Sequence, residues 1–152
     1  MKLTPELVPQ PLWYRNIRKS LGRKKWERLV RNPTLEKHNH ECQICGATHE
    51  KGMICHEIWK YDDENCISTL TGFTVICPLC NFATHLGLAN IIDESGKALA
   101  QIAQINAVSL EEAQRLVAKA FDMWEMRSQH EWSIMIDAAL INEFPFLEEI
   151  TL

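Results

Sequence analysis

The ten residues ICPLCNFATH, numbers 76 to 85, decide how we interpret the whole chain. They contain one Cys-x-x-Cys pair, Cys77 and Cys80, and a second pair, Cys42 and Cys45, precedes it by 31 intervening residues. Each pair lets a tight turn direct two thiolates at one ion, and two pairs complete a tetrahedron. The spacing therefore predicts a structural Zn²⁺ held by four cysteines, with two redox pairs or unrelated buried thiols as the alternative.

The same stretch carries polar residues that a zinc ion with four sulfur ligands does not need. If a helix begins at the second cysteine pair, Asn81 and His85 are four residues apart and share one face. That face is turned by about 100° from Cys80, because an α-helix has about 3.6 residues per turn. The expected neighbour is a strand that contains His56. The pattern thus predicts a second, open site beside the zinc.

The central and N-terminal parts of the chain predict strands and short helices. Two β-type stretches, GMICHEIWKY (52–61) and LTGFTVIC (70–77), are joined by a polar turn. Before them, apolar residues recur at helical spacing from 12 to 32. This spacing predicts two short helices that are broken near Gly22 and ended by Pro33.

The C-terminal part predicts two helices and a late strand. The stretch ESGKALAQIAQINA (94–107) is typical of a short helix, and Ser109 with Glu112 forms a predicted capping box for the next one. An apolar stripe carries that helix to about Arg127. Alternating apolar residues in 132–140 then favour a strand. The predicted fold class is α+β.

Length and composition indicate one globular domain. The 152 residues are 46% hydrophobic and 24% charged, enough to bury a core. We expect a single domain over 1–152, made of a basic helical segment (12–37), a zinc-bound core (38–90) and a helical packing region with a terminal strand (91–152). No apolar run has signal-peptide length or approaches the roughly 20 residues that span a bilayer, so we expect a cytoplasmic protein. In that compartment six cysteines favour metal chemistry over disulfides.

Charge is divided unevenly along the chain. Residues 11–40 hold nine lysines and arginines against two glutamates, a net +7, whereas residues 86–152 hold four against eleven acids, a net −7. The basic segment predicts a surface for a polyanion, with a solvated helix face or docking on the acidic part as the alternatives. The residues expected to contact nucleic acid are Arg15, Arg18, Lys19, Arg23, Lys24, Lys25 and Arg28.

The motifs, taken in order, resemble those of the HNH nucleases. The resemblance lies in CQIC (42–45), CHEIWKYDD (55–63), LTGFTVICPLC (70–80) and HLGLA (85–89). The flanking stretches LTPELVPQPLWYRNIR (3–18) and AFDMWEMRSQHEWSI (120–134) resemble one group of bacterial proteins usually labelled HNH endonuclease. This resemblance implies a ββα-metal core of the treble-clef type, clamped by the four-cysteine zinc, with basic helices before it and helices after it.

The resemblance also implies an activity and its residues. His56 would be the general base of phosphodiester hydrolysis, and Asn81 with His85 would hold a second divalent ion such as Mg²⁺, Mn²⁺ or Zn²⁺. The expected partner is nucleic acid, with DNA as the first choice, and no membrane is expected; the pattern does not define an oligomeric state. The alternatives are a catalytically silent zinc module that binds nucleic acid or a protein, and a structural zinc protein whose basic helix pairs with its own acidic tail.

Three positions depart from the pattern that the resemblance implies. Cys55 stands where an Asp or His ligand is expected, Gly72 where a bracing Asn is expected, and Asn81 where a His is common. Because a soft thiolate is a poor ligand for Mg²⁺, Cys55 has the largest consequence. The site would then use a softer metal, lose catalysis, or draw an oxygen ligand from a nearby acid. The candidate acids are Glu57, Asp62 and Asp63.

Overall fold

The computed structural model describes residues 2–87 and 95–152, and it is an α+β structure built on a three-stranded sheet. Part of the HLGLA motif and the first residue of the helix predicted at 94–107 lie outside the described residues. The strands are β1 (Ile54–Asp62), β2 (Ile67–Ile76) and β3 (Ser133–Ile136). The helices are α1 (Ile17–Leu21), α2 (Arg23–Trp26), α3 (Asn32–Lys37), α4 (Pro78–Thr84), α5 (Ser95–Asn106), α6 (Leu110–Ser128) and α7 (Ala138–Glu143). Short 3₁₀ turns occupy Gln10–Leu12 and Pro145–Glu149, and a π-helical turn occupies Glu27–Arg31.

The predicted hairpin forms, and the short helix follows it directly. Strands β1 and β2 pair antiparallel with Ile54 opposite Ile76, and an irregularity in the register lies between Ile58 and Trp59. The spatial order of the strands is β1-β2-β3, so β1 is an edge strand. Helix α4 begins at Pro78, which suits a first turn because proline has no N–H to donate. The chain therefore runs hairpin, then helix, as predicted.

The N-terminal helices break at Gly22 as predicted, but the prediction that Pro33 ends this region was wrong. Gly22 has a φ of 73°, which glycine adopts at little cost. Pro33 lies in the first turn of α3, where its missing N–H costs little, and the helix continues to Lys37. The hydroxyl of Thr34 also donates to the carbonyl of Val30 at 2.7 Å, which joins α3 to the preceding turn.

In the C-terminal part, the capping box is confirmed and the late strand is shorter than predicted. The Ser109 hydroxyl accepts from the Glu112 N–H, and the Glu112 carboxylate accepts from the Ser109 N–H. Strand β3 pairs in parallel with β2 but ends at Ile136. The side chain of Asp137 then caps the N-terminus of α7, so that residues 138 and 140 are helical although they continue the alternating pattern.

Helix α4 lies between the sheet and the C-terminal helices. Ala83 on α4 is buried in one apolar cluster with Ile102 of α5 and Ala113 of α6. Cys80, also on α4, is buried in another cluster with Val75 of β2. A third cluster packs α2 and the C-terminal residues on the sheet, with Trp26 edge-on to Phe73 at 5.8 Å between ring centroids. A single short helix is thus held from two sides.

Across residues 2–87 and 95–152, no helix combines the length and apolar character that crossing a bilayer requires.

Candidate metal centre and histidine cavity

The four predicted zinc ligands meet in one place. The sulfur atoms of Cys42, Cys45, Cys77 and Cys80 all lie within 4.8 Å of one another, and none is in a disulfide. Cys45 Sγ and Cys77 Sγ are 3.7 Å apart. This matches the edge of about 3.8 Å that a tetrahedron with Zn–S bonds of about 2.3 Å would have. We call these residues the four-cysteine cluster; the donor set and its spacing fit a structural Zn²⁺.

The first cysteine pair is presented by a tight turn. Gly46 has a φ of 75° and its N–H donates to the Cys42 carbonyl at 2.8 Å. The Cys42 N–H in turn donates to the Ala47 carbonyl at 2.9 Å. A residue with a Cβ would be strained at this φ, which explains the glycine directly after Cys45. Because the Gln43 N–H also donates to the Val75 carbonyl at 2.8 Å, the turn is attached to β2.

The second pair is presented by the start of α4. Cys77 is the N-cap residue, and its Sγ accepts from the Cys80 N–H at 3.4 Å. This sulfur therefore takes the place of the oxygen that Ser or Asp usually offers at an N-cap. Cys80 follows one turn later and is fully buried. The two ligands and the helix start are one local structure.

A residue that the sequence did not predict, on a helix later in the chain, forms a hydrogen bond to the four-cysteine cluster. The side-chain amide of Gln101, on α5, donates to Cys80 Sγ at 3.3 Å, and Gln101 is buried. Hydrogen bonds to metal-bound thiolates orient the ligand and stabilise its negative charge. The available signal was a polar residue beside the buried Ala98 and Ile102, on the apolar face of its helix.

The two predicted histidines also meet, at the C-terminal end of α4. His56 Nε2 on β1 and His85 Nε2 at the end of α4 are 2.7 Å apart, and the rings are tilted by 33° with centroids 4.8 Å apart. At this distance one proton lies between the nitrogens, or both lone pairs face a position that a cation would fill. A strand histidine and the histidine that follows α4 thus converge.

Burial keeps both imidazoles neutral near pH 7. Loss of solvent, followed by the proximity of His85, lowers the pKa of His56 to about 4. Loss of solvent also lowers the pKa of His85, although a hydrogen bond to the Glu6 backbone acts in the opposite direction. Neutral imidazoles have a lone pair that can accept a proton or bind a metal.

The histidines lie in a cavity of about 480 Å³ that opens to solvent and that we call the histidine cavity. Its walls include residues of the N-terminal segment, β1, the end of α4 and β3. Its lining includes Trp13, Tyr14, Arg15, Arg18, His56 and His85, and also the acids Glu6 and Glu57. Arginine side chains, aromatic rings and the histidine pair therefore share one space.

The carboxylate of Glu57 fixes the N-terminal segment to this cavity. Its Oε1 accepts from the Ile17 N–H at 2.9 Å and its Oε2 accepts from Trp59 Nε1 at 3.1 Å. Burial raises the pKa of this carboxyl. Since both oxygens already have partners, Glu57 acts here as the anchor that sets the start of α1 against β1.

The other acids considered as oxygen ligands are also occupied. The Asp62 carboxylate accepts from the N–H groups of Glu64 and Asn65 and so shapes the hairpin turn. Asp63 forms a bidentate ion pair with Arg127 of α6 at 2.6 and 2.9 Å. Burial raises the pKa of the Cys55 thiol to about 11, so this cysteine is protonated and belongs to the apolar core.

Two positions discussed for the second site have less support from the geometry. Asn81 is one turn before His85, since the His85 N–H donates to the Asn81 carbonyl at 2.8 Å. Its side chain, however, makes no hydrogen bond to another residue of 2–87 or 95–152, and it is not part of the cavity lining. Asn81 as a ligand stays a prediction. Gly72 pairs with Ile58 across the hairpin, and a Cβ there would lie 3.5 Å from the Ile58 side chain.

All seven predicted cations of the basic segment are exposed, and they have few acidic partners. Arg23 pairs with Glu27 at 3.0 Å on the same helical stretch. For the other six, the described part of the chain offers no ion pair to a side-chain carboxylate. The segment does contact the C-terminus through Arg15, which donates to the Leu152 carbonyl, and Lys37, which pairs with Glu143 at 2.6 Å. Most of its charge is therefore available to a partner.

No protein-family model, curated protein or solved structure matches the chain. The likeness to HNH nucleases therefore stays a prediction.

Proposed function

We propose that the protein is a metal-dependent endonuclease of the HNH type, with a treble-clef ββα core and His56 as the general base. The order of its parts supports this proposal: a cysteine turn, the β1–β2 hairpin and α4 follow one another, and both cysteine pairs meet at the start of that helix. The observation that carries it is the 2.7 Å approach of His56 Nε2 to His85 Nε2, which joins hairpin and helix in an open cavity.

The residues of the cavity suit phosphodiester hydrolysis. His56 is neutral and can accept a proton from an attacking water, although its pKa of about 4 makes it a weaker base than a free imidazole. Arg15 and Arg18 line the same cavity, where a guanidinium would bind a phosphate oxygen and stabilise developing negative charge. The basic segment beside them would follow the phosphate backbone without reading bases.

His85, with Asn81 as the predicted second ligand, would hold the divalent ion. When bound, such an ion supplies Lewis-acid stabilisation of the phosphate and of the leaving oxygen. Imidazole nitrogen favours Zn²⁺, Ni²⁺ and similar metals over Mg²⁺. Because Cys55 is protonated and Glu57 is engaged, we expect the softer ions to support activity better than Mg²⁺.

The test combines cleavage with metal content in the full-length protein. We expect plasmid nicking in the presence of Mg²⁺, Mn²⁺, Ni²⁺ or Zn²⁺, reduced roughly 10²- to 10⁴-fold by His56→Ala, the range of general-base contributions. If His56 is the base and His85 a ligand, only His85→Ala loses the exchangeable ion. If both rings bind one ion, both variants lose it. His130→Ala, an exposed histidine after α6, is the matched control.

Three other results would change this assignment. Cleavage that survives His56→Ala ends the assignment of the base. Salt-dependent binding of nucleic acid without turnover in any metal supports the silent zinc module. Absence of such binding supports a structural zinc protein, for which the Lys37–Glu143 pair between the basic segment and α7 is the favouring observation.

A further inference from the structure

Two neighbouring aromatic side chains are exposed at the mouth of the histidine cavity. Trp13 is 49% exposed and Tyr14 is 73% exposed, and both line the cavity that holds His56 and His85. Scattered surface aromatics are common, but these two residues are consecutive in the chain and line one cavity together with the histidine pair. The hydrolysis proposed above gives these rings no role.

Although both rings are exposed, a hydrogen bond and a cation–π contact hold them in place. Trp13 Nε1 donates to the Val8 carbonyl at 2.8 Å, which fixes the indole beside the preceding segment. Tyr14 has a φ of 66°, a left-handed conformation that is costly for a residue with a Cβ. The Lys19 ammonium lies 4.6 Å from the Tyr14 ring centroid, within the range of a cation–π contact. The chain thus maintains a strained segment that presents two aromatic side chains to solvent.

The surroundings of the rings indicate the chemistry of a ligand. Arg15 follows directly in the chain, Arg18 lies three residues further in the first turn of α1, and both line the same cavity. A ligand that uses all of these groups has a flat apolar ring next to an anionic group. A nucleotide within a strand has both, since its base would stack on a ring and its phosphate would pair with an arginine.

Stacking on a protein ring requires an open base face. Within a duplex each base face is covered by the neighbouring base pair, whereas bases in single strands and loops are free to stack on aromatic side chains. We propose that Trp13 and Tyr14 stack on an unpaired nucleobase whose adjacent phosphate lies at the histidine pair, so that the protein prefers single-stranded or locally unpaired nucleic acid. This inference rests on the proposed function for the identity of the ligand class.

The test measures binding, so it does not depend on turnover. The probe is a labelled single-stranded DNA of roughly 16 nucleotides, the upper end of site sizes for a compact single-strand-binding fold. We expect Trp13→Ala and Tyr14→Ala each to weaken its binding by about tenfold, within the range of one base–aromatic stack. Trp13→Phe and Tyr14→Phe keep a ring and should retain most of the affinity.

Two controls separate stacking from general damage. Met126→Ala removes an exposed apolar side chain of similar accessibility on α6, 47% exposed, and should leave binding unchanged. The same DNA as a blunt duplex should bind more weakly and should respond little to the ring variants. Equal losses for single strand and duplex would overturn the proposal, as would wild-type binding by both alanine variants or absence of binding to either form.

A series of abasic oligonucleotides tests the contact itself. Removing one base at a time should weaken binding to the wild-type protein at one position, and this penalty should disappear in Trp13→Ala or Tyr14→Ala. A penalty that persists unchanged in both variants contradicts the proposed stack. Ring-dependent binding without cleavage keeps this inference and ends the nuclease proposal. Cleavage together with binding that does not depend on the rings keeps the nuclease proposal and ends the stacking inference.

Discussion

The four-cysteine cluster and the histidine cavity share helix α4, yet they are different kinds of site. Cys80 and His85 are five residues apart, one facing the cluster and the other facing β1. The cluster is closed: four sulfur atoms within 4.8 Å would surround an ion completely. The cavity is open, with a volume of about 480 Å³ and walls from distant segments. The closed site would hold the fold together, and the open one would leave room for a ligand.

Removal of a cluster ligand is the strongest way to test this distinction. We expect Cys80→Ser to lose zinc and to unfold, because zinc binding in small domains contributes about 10–16 kcal/mol whereas a whole domain is stable by about 5–15 kcal/mol. Zinc content and thermal unfolding followed by circular dichroism measure the effect. Cys66→Ser, in the hairpin turn outside the cluster, should keep both. A folded Cys80→Ser protein with unchanged melting temperature would show that the cluster does not hold the fold.

The four-cysteine cluster should also depend on α5, which carries Gln101. In Gln101→Leu the packing volume stays similar but the N–H···S bond to Cys80 is lost. Zinc affinity should fall by about 10- to 100-fold, the usual effect of removing a group that orients a metal ligand. Competition with a chelator measures it, and Gln104→Leu on the exposed face of α5 is the matched control. Equal affinities for the two variants would make the cluster independent of α5.

The same contrast explains which parts could be predicted from sequence. The cluster was predicted because each Cys-x-x-Cys pair is a local turn whose geometry depends on a few neighbours, such as Gly46. His56 and His85 do approach each other, but helix periodicity is only part of the reason, since His85 is the C-cap residue of α4 and Asn81, expected on the same face, does not line the cavity. The cavity walls were not predicted, since Arg15 and Arg18 reach the site only after Glu57 anchors the start of α1 to β1.

The errors in the predicted secondary structure have a similar cause. Alternating apolar residues continued past Ile136, but the side chain of Asp137 caps α7 and ends the strand. The pattern predicts that Pro33 ends the helix, but the first turn of a helix tolerates proline and Thr34 bonds back to Val30. In both cases a side-chain hydrogen bond accompanies one of two conformations that the local pattern allowed. Such hydrogen bonds form only in one of the two conformations, and the local sequence pattern does not show which of them the chain adopts.

A smaller effect is expected at the basic surface beside the open site. Lys24→Gln should weaken binding of the single-stranded DNA at low salt and reduce the slope of log affinity against log salt concentration by about 0.7, the value for one lost phosphate contact on a single strand. The reason is that Lys24 is exposed and has no acidic partner among residues 2–87 and 95–152. Lys119→Gln, an exposed lysine on α6, should change neither quantity. Equal slopes for the two variants would show that Lys24 on α2 is not part of the surface that binds the polyanion.

The smallest predicted effect concerns the wall of the histidine cavity and its dependence on pH. Arg127 lies 4.3 Å from the ring centroid of Tyr61, a cavity residue, and its ion pair with Asp63 lowers the pKa of that carboxyl below its ordinary value of 3.8. A lowered pKa in the folded state means that the stabilisation is complete above the ordinary pKa and is lost as pH falls through the lowered one. Its size should be below about 1 kcal/mol, because the Asp63 side chain is 40% exposed.

Urea unfolding of Asp63→Asn at several pH values measures this contribution. The variant should be less stable than the wild type near pH 7, and the two should converge in strong acid, where the wild-type carboxyl is protonated. Asp122→Asn, an exposed position on α6, should follow the wild type at every pH. A stability difference that stays constant into strong acid would mean that Asp63 acts through the shape of the hairpin turn. The contact of Arg127 with the Tyr61 ring in the cavity wall would then not depend on the ion pair.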